Sequence, residues 1–242
     1  MRHYALIGNP VKHSFSKEYF DSQHFSGADY RLYGTATLDG LRPWVVREHI
    51  DGFNVTAPHK QAVMPLLDSV DPEAAAIGAV NCVVVGPDGR LDGHNTDGPA
   101  FRDSLEAMGQ HFAQAFILGT GGASRAVAWA LRQLGIPCRH VSLHPERHPG
   151  AIAYADLTPL LQSPQATLLV NATPLGTWPD TARTPLTLPS LALPALTVYD
   201  LVYNPSPTLL MRQAAACGAT VCDGLDMLQR QARLSWRLWS LT

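Results

Sequence analysis

The sequence predicts an α/β protein built as two domains, and three observations carry that prediction. Strand-like and helix-like stretches alternate through both halves of the chain. An apolar strand at residues 115–118 runs straight into a glycine turn that opens a helix. The 242 residues, 46% apolar and 16% charged, suffice for one large core or two modest ones. The pattern changes near residues 97 to 110, so the expected division is a first domain over 1–97 and a second over 98–223. A helix over 224–242 is expected to return to the first domain.

In the first domain, residues 4–8 read as a strand, a helix starts near Ser16, residues 30–35 are a strand, a helix starts near Leu38, and residues 52–56 are a strand. Pro58 suits the first turn of a following helix, where its missing N–H is not needed. Asp71-Pro72-Glu73 opens another helix. Residues 80–85 and 90–94 form a hairpin around Gly86-Pro87-Asp88-Gly89, and Asp97 is placed to cap a helix through Met108. In the second domain the helix after the glycine turn runs to Leu134, where Gly135 and Pro137 stop it, and strands follow at 138–143, 167–171 and 197–201. The Pro- and Thr-rich stretch 174–194 is long for a compact domain; a functional loop and extended turns replacing a short helix both remain open. In the last segment Leu225, Leu228, Ala232, Leu234, Trp236, Leu238 and Trp239 make a broad apolar face that must pack on something.

Composition excludes several functions. A net charge of −2 without a basic run gives no electrostatic footprint for nucleic acid or an anionic membrane, so a small-molecule ligand is expected. Cys82, Cys138, Cys217 and Cys222 form no C-x-x-C pair and lie in apolar stretches, as buried thiols in a reducing cytoplasm would. The chain starts in a strand, with neither a basic leader nor an apolar run long enough to span a bilayer, so cytoplasmic residence is expected. His and carboxylate residues make no convincing metal-ligand cluster, and no metal is expected.

The chemistry is concentrated at the ends of elements. Gly119 and Gly121 allow backbone angles closed to other residues, and the helix beginning near Ala123 aims unpaired N–H groups and its positive dipole end at whatever occupies the turn. A nucleotide pyrophosphate fits that description. The spacing Gly119-x-Gly121-x-x-Ser124 departs from the dinucleotide fingerprint only at its third position, and no Gly-Lys-Ser/Thr follows to make a P-loop. The first domain carries four polar sets: His13-Ser14-Phe15-Ser16, Asn54-Val55-Thr56-Ala57-Pro58-His59-Lys60, Gly78-Ala79-Val80-Asn81 and Asn95-Thr96-Asp97-Gly98. Singly they read as caps, turns and surface charge; together they converge on the carboxyl edge of one sheet, where open α/β sheets bind ligands.

These sets resemble the shikimate dehydrogenase family in order and spacing. So do Gly8-Asn9-Pro10, Gly119-x-Gly121-Gly122-Ala123-Ser124-Arg125, Asn171-Ala172-Thr173, Tyr199-Asp200-Leu201-Val202-Tyr203 and Asp223-Gly224-Leu225-x-Met227-Leu228-x-x-Gln231-Ala232. The resemblance implies an N-terminal α/β substrate domain and a Rossmann-like cofactor domain with a cleft between them. It implies reversible NADPH-dependent reduction of 3-dehydroshikimate to shikimate, on the way to chorismate and the aromatic amino acids, by a cytoplasmic monomer or homodimer. By the same resemblance Lys60 and Asp97 are the catalytic pair. Ser14 and Ser16 bind the substrate carboxylate; Asn54, Thr56, Asn81 and Gln231 bind ring hydroxyls; Tyr203 closes the pocket. Gly119, Gly121, Gly122, Ala123, Ser124, Arg147, Asn171, Thr173 and Gly224 hold the cofactor.

Lys60 can serve as a general acid/base or mainly as an electrostatic and positioning group, and both readings stand. His13 and His59 flank the motifs and are expected to be structural. At the cofactor's ribose, relatives carry Asn-Arg-Thr-x-x-Arg, whereas this chain has Ser142-Leu143-His144-Pro145-Glu146-Arg147. Leu143 replaces the first arginine, so NADP is expected with modest discrimination and NAD stays possible. A quinate/shikimate dehydrogenase using NAD and a catalytically silent binding module are the alternatives. Lys17 stands where many relatives have proline.

Overall fold

The computed structural model describes residues 1–11, 15–22, 27–188 and 190–241. The chain divides into two compact units, residues 1–100 with 228–242 and residues 101–227.

The first unit contains β1 (Arg2–Gly8), α1 (Phe15–Ser22), β2 (Ala28–Gly34), α2 (Leu41–Arg47), β3 (Gly52–Val55), β4 (Ser69–Val70), α3 (Pro72–Ile77), β5 (Cys82–Val85), β6 (Leu91–His94) and the start of α4 (Asp97–Ala107). Its described strands form a sheet in the order β2-β1-β3-β5-β6-β4, with β1 parallel to β2 and β3, and β5 antiparallel to β3 and β6. Side chains alternate across β1. Ala5 and Ile7 enter the core with Leu41, Trp44, Phe53 and Val83, while Tyr4 and Leu6 face Phe20, Tyr30, Ala232 and Trp239.

The second unit holds the rest of α4, then β7 (Gln114–Leu118), α5 (Gly122–Gln133), β8 (Cys138–Ser142), β9 (Ile152–Ala153), α6 (Leu157–Leu161), β10 (Thr167–Asn171), β11 (Leu196–Asp200), α7 (Leu209–Ala216), β12 (Thr220–Cys222) and the start of α8 (Leu225–Ser240). Its described strands, all parallel, lie in the order β12-β11-β10-β7-β8-β9. Numbered outward from β7 on either side, this is a doubly wound order whose switch point falls between β7 and β10. Phe116, Leu118, Leu169 and Val198 pack with Leu157, Leu161 and Leu210 in its core.

From Leu228 onward α8 belongs to the first unit. Trp239, fully buried, stacks on Tyr4 with ring centroids 4.5 Å apart and donates its indole N–H to the Val83 carbonyl at 3.0 Å. A side chain at Gly52 would collide with that indole, which is why a glycine opens β3.

Two local expectations change, and a stretch left open is defined. No α-helix follows Pro58; the chain makes turns and one 3-10 turn, Met64–Leu66. Pro65 explains this, because it has no N–H to bond back and its ring clashes with the carbonyl four residues earlier. Asp97 does not cap α4. The Asn95 side chain does so, accepting from the Gly98 N–H at 3.0 Å, and leaves the Asp97 carboxylate available for another partner. The Pro- and Thr-rich stretch forms no helix in its described part but is anchored, since Leu186, Leu188 and Leu193 are buried in the core. Periodicity does not announce the short elements β4, β9, α6, α7 and β12. Of these α7 carries a signal, the Thr208 hydroxyl capping the Met211 N–H.

Candidate functional site

In the first unit the carboxyl ends of β3 and β6 and the amino end of β5 reach one sheet edge and bring Thr56, Lys60, Asn81 and Asp97 to it. Lys60 Nζ donates to Asp97 Oδ2 at 2.6 Å, and the two side chains are 17% and 9% exposed. The Lys60 backbone is held by the Val80 N–H bonding its carbonyl. An ammonium fixed this way keeps two further N–H donors for a ligand oxygen, with a carboxylate behind it to stabilise the charge.

A buried network supports the pair. Asn81 Oδ1 accepts the Thr96 N–H at 2.7 Å and Asn81 Nδ2 donates to Thr96 Oγ1, so the residue before Asp97 is clamped on both sides. Asn54 accepts from the Tyr30 hydroxyl and donates to the Asn81 carbonyl and to Ser235 Oγ. Both its amide hydrogens are thus used internally, while its Oδ1 keeps a second lone pair beyond the bond from Tyr30, so Asn54 braces the site and retains one acceptor position. Ser235, one turn beyond Gln231 on α8, donates to the Gln231 carbonyl. Burial beside this network pushes the Cys82 thiol up to about 12, so Cys82 is an inert core group.

Gln231 is buried, Thr56 is half-buried directly after β3, and Ser16 lies in the first turn of α1. Ser14 and His13 lie outside the described residues. Lys17 pairs with Asp21 one turn along α1. His59 is buried with Nε2 2.8 Å from the Thr35 carbonyl, a structural role. Tyr203 belongs to the second unit, half-buried in the loop after β11.

In the second unit the carboxyl ends of β7 and β10 carry the two motifs that flank the switch point. Gly119 has φ +102°, a conformation that favours glycine, and a Cβ there would meet Thr173 Cγ2 at 3.2 Å. Gly121 is the N-cap of α5 and no side chain caps that helix, so the N–H groups of Gly122, Ala123 and Ser124 open its first turn. The unusual third fingerprint position is accounted for by Ser124, whose hydroxyl donates to the Gly119 carbonyl at 2.6 Å and lies 2.8 Å from His140 Nδ1. Since the serine proton is spent on Gly119, Nδ1 of His140 is the donor in that contact, and burial lowers the pKa of His140 and keeps it neutral. The β8 histidine was missed because nothing in the sequence ties it to the turn.

Asn171 accepts from the Thr173 N–H and hydroxyl and donates to Asp200. Gly224 sits where a Cβ would overlap the Leu201 carbonyl. After β8, Leu143 is 80% exposed and the Arg147 side chain 71% exposed, with His144 and Arg147 both beside Glu146. The uncapped helix start, the glycine cradle and these exposed basic groups fit the phosphates of a dinucleotide. Among the described residues no cluster of three or more His, Cys, Asp or Glu could hold a metal, and no helix is long and apolar enough to cross a membrane.

A family model described as the shikimate dehydrogenase substrate binding domain matches residues 6–83. A Moorella thermoacetica protein named shikimate dehydrogenase (NADP(+)) is 41% identical over 98% of this chain and 87% of its own length. A protein of the same name from Thermus thermophilus is 40% identical over 99% of this chain and 93% of its own. A solved shikimate 5-dehydrogenase of Thermus thermophilus, in complex with NADP(H) and shikimate, aligns with a TM-score of 0.82 at 36% identity, covering 100% of this chain and 94% of that one. The quinate dehydrogenase of Corynebacterium glutamicum in complex with NAD aligns with a TM-score of 0.87 at 28% identity over 100% and 94%.

Proposed function

The chain belongs to the shikimate dehydrogenase family, and from that premise we propose that Lys60 and Asp97 handle the proton in an NADP-dependent interconversion of 3-dehydroshikimate and shikimate. The observation that carries the assignment is the 2.6 Å contact of Lys60 Nζ with Asp97 Oδ2 at the sheet edge. The nicotinamide cofactor, when bound, would supply hydride to the carbonyl carbon as NADPH and would take it back as NADP+ in oxidation. Lys60 Nζ gives a proton to the forming alkoxide oxygen, and in the reverse direction accepts it from the hydroxyl. Asp97 holds the ammonium in place and stabilises its charge. Ser14 and Ser16 bind the substrate carboxylate, and Thr56, Asn81 and Gln231 its hydroxyls. Asn54, its amide hydrogens held by Asn81 and Ser235, offers its Oδ1 to a ring hydroxyl.

The first turn of α5 and Gly119, Gly121, Gly122, Ala123 and Ser124 receive the pyrophosphate, with Asn171, Thr173 and Gly224 shaping the surrounding backbone. Arg147 holds the 2′-phosphate. The exposed Leu143 has no donor to add, so discrimination between NADP and NAD is modest. The four free cysteines support work in a reducing cytoplasm, and the chain acts there as a monomer or homodimer.

Leu143, with the likeness to an NAD-bound quinate dehydrogenase, favours a second reading in which quinate and NAD are also used. Initial rates of oxidation of shikimate and quinate, each with NADP and NAD, separate the two. A strong preference for shikimate with NADP is expected. Equal or better rates with quinate and NAD favour the second reading, and no turnover with any pair overturns both.

A further inference from the structure

Asp200 is fully buried at the end of β11, and among the described residues no cationic side chain is bonded to it. Its Oδ1 accepts from Asn171 Nδ2 at 2.8 Å and from the Val202 N–H at 3.0 Å, and its Oδ2 from the Thr208 hydroxyl at 2.7 Å. Each of these donors anchors something else. Thr208 caps α7. Val202 begins the segment that carries Tyr203. Asn171, oriented by the carboxylate, turns its own Oδ1 to the Thr173 N–H and hydroxyl, and Thr173 is the side chain packed where Gly119 has no Cβ. One carboxylate therefore sits at the root of a relay running from β11 through β10 to the glycine turn after β7.

We propose that Asp200 is a positioning residue for the nucleotide site: its negative charge orients Asn171, which holds Thr173 against the Gly119 turn, so that losing the charge weakens nucleotide binding. The proposal rests on the reading of this unit as the NADP-binding one. The relay has a definite polarity, because an ionised carboxylate only accepts and all three of its partners donate. A proton on Asp200 introduces a donor among them and forces one partner to turn away.

Burial is the main reason that Asp200 is pushed up to about 6, opposed by its three hydrogen bonds and assisted by the Asp223 carboxylate after β12. The groups facing it from the packed elements are the uncharged Asn171 of β10, Thr208 at the start of α7, and Asp223, itself bonded to Ser206 and the Leu225 N–H. Of the ionisable groups beside them, Arg212 of α7 is turned to the Pro207 carbonyl and the Cys222 thiol to the Asp223 carbonyl. Asp200 thus changes charge close to neutrality.

The test is calorimetric titration of the full-length protein with NADP+ from pH 5 to pH 8, comparing wild type with Asp200→Asn. The 2′-phosphate of the ligand titrates equally against both proteins, so the ratio of their dissociation constants is read. That ratio is expected to be about tenfold at pH 8, as for loss of a hydrogen bond to a charged group, and to fall towards one at pH 5, where Asp200 is itself neutral. A ratio that stays constant across the range, or near one throughout, overturns the proposal. If Asp200→Asn does not fold, Thr208→Val removes one donor from the carboxylate and must move the acid-side weakening to higher pH; an unmoved profile overturns the proposal equally. Wild type that binds no NADP+ at any pH refutes the underlying functional reading instead.

Discussion

The two units build their sites from different material. In the first unit the working groups are side chains locked by other side chains: Lys60 on Asp97, Asn81 on Thr96, Asn54 on Ser235. In the second unit the cradle is mostly backbone, the Gly119 turn and the uncapped start of α5, and the side chains around it serve to hold that backbone in place. Chemistry that moves a proton needs a titratable group at a fixed point, whereas an anion can be held by N–H groups of any residue that tolerates the geometry. Substitutions in the first unit should therefore act on turnover, and those in the second on nucleotide affinity.

The largest expected effect is on the first side of that comparison. Asp97→Ala removes the partner of a mostly buried ammonium, and the expected loss is about a thousandfold in kcat, in the range of general acid–base contributions. Steady-state kinetics with shikimate checks this, and a large rise in the KM for NADP with kcat intact would erase the contrast between the units.

A second test uses stability. The folded-state pKa of Asp200 lies above its value in the unfolded chain, near 6 against 3.8. The folded form therefore binds the proton more readily, and the charged form is disfavoured by folding. The destabilisation is complete above about pH 6 and relieved as pH falls towards 4, amounting to about 3 kcal/mol. Asp200→Asn lacks this titration, so its stability relative to wild type should rise by that order between pH 4 and pH 7 in urea unfolding. A pH-independent difference would mean that the carboxylate is not held in the buried, charged state described.

The smallest effect is expected at the rim. Arg147 is exposed and shares its surroundings with Glu146, so Arg147→Ala should weaken NADP by about tenfold or less and leave NAD unchanged. Equal losses for both nucleotides would place Arg147 elsewhere than at the 2′-phosphate.

The second unit's glycine turn was legible because Gly119, Gly121 and the strand and helix around it leave a local signature. The first unit's elements through β3 were legible from periodicity, as was α3 from Asp71-Pro72-Glu73, and its polar sets stood out as motifs. What stayed hidden depends on contacts between distant positions. Nothing near Asn54 announces Tyr30 or Ser235, and nothing near Ser124 announces His140. The helix expected after Pro58 failed on Pro65, a breaker visible in the sequence and outweighed there by Pro58. The helix cap expected of Asp97 went to Asn95, because both residues can cap and only the fold shows which one has Lys60 beside it.

The most direct measurement is a Lys60→Met substitution read twice, as kcat for shikimate oxidation and as the dissociation constant for NADP+. A fall in kcat of about a thousandfold or more with NADP+ affinity unchanged is the predicted result. A kcat within a few-fold of wild type, or a parallel loss of NADP+ affinity, would contradict the division of labour between side-chain chemistry in the first unit and backbone recognition in the second.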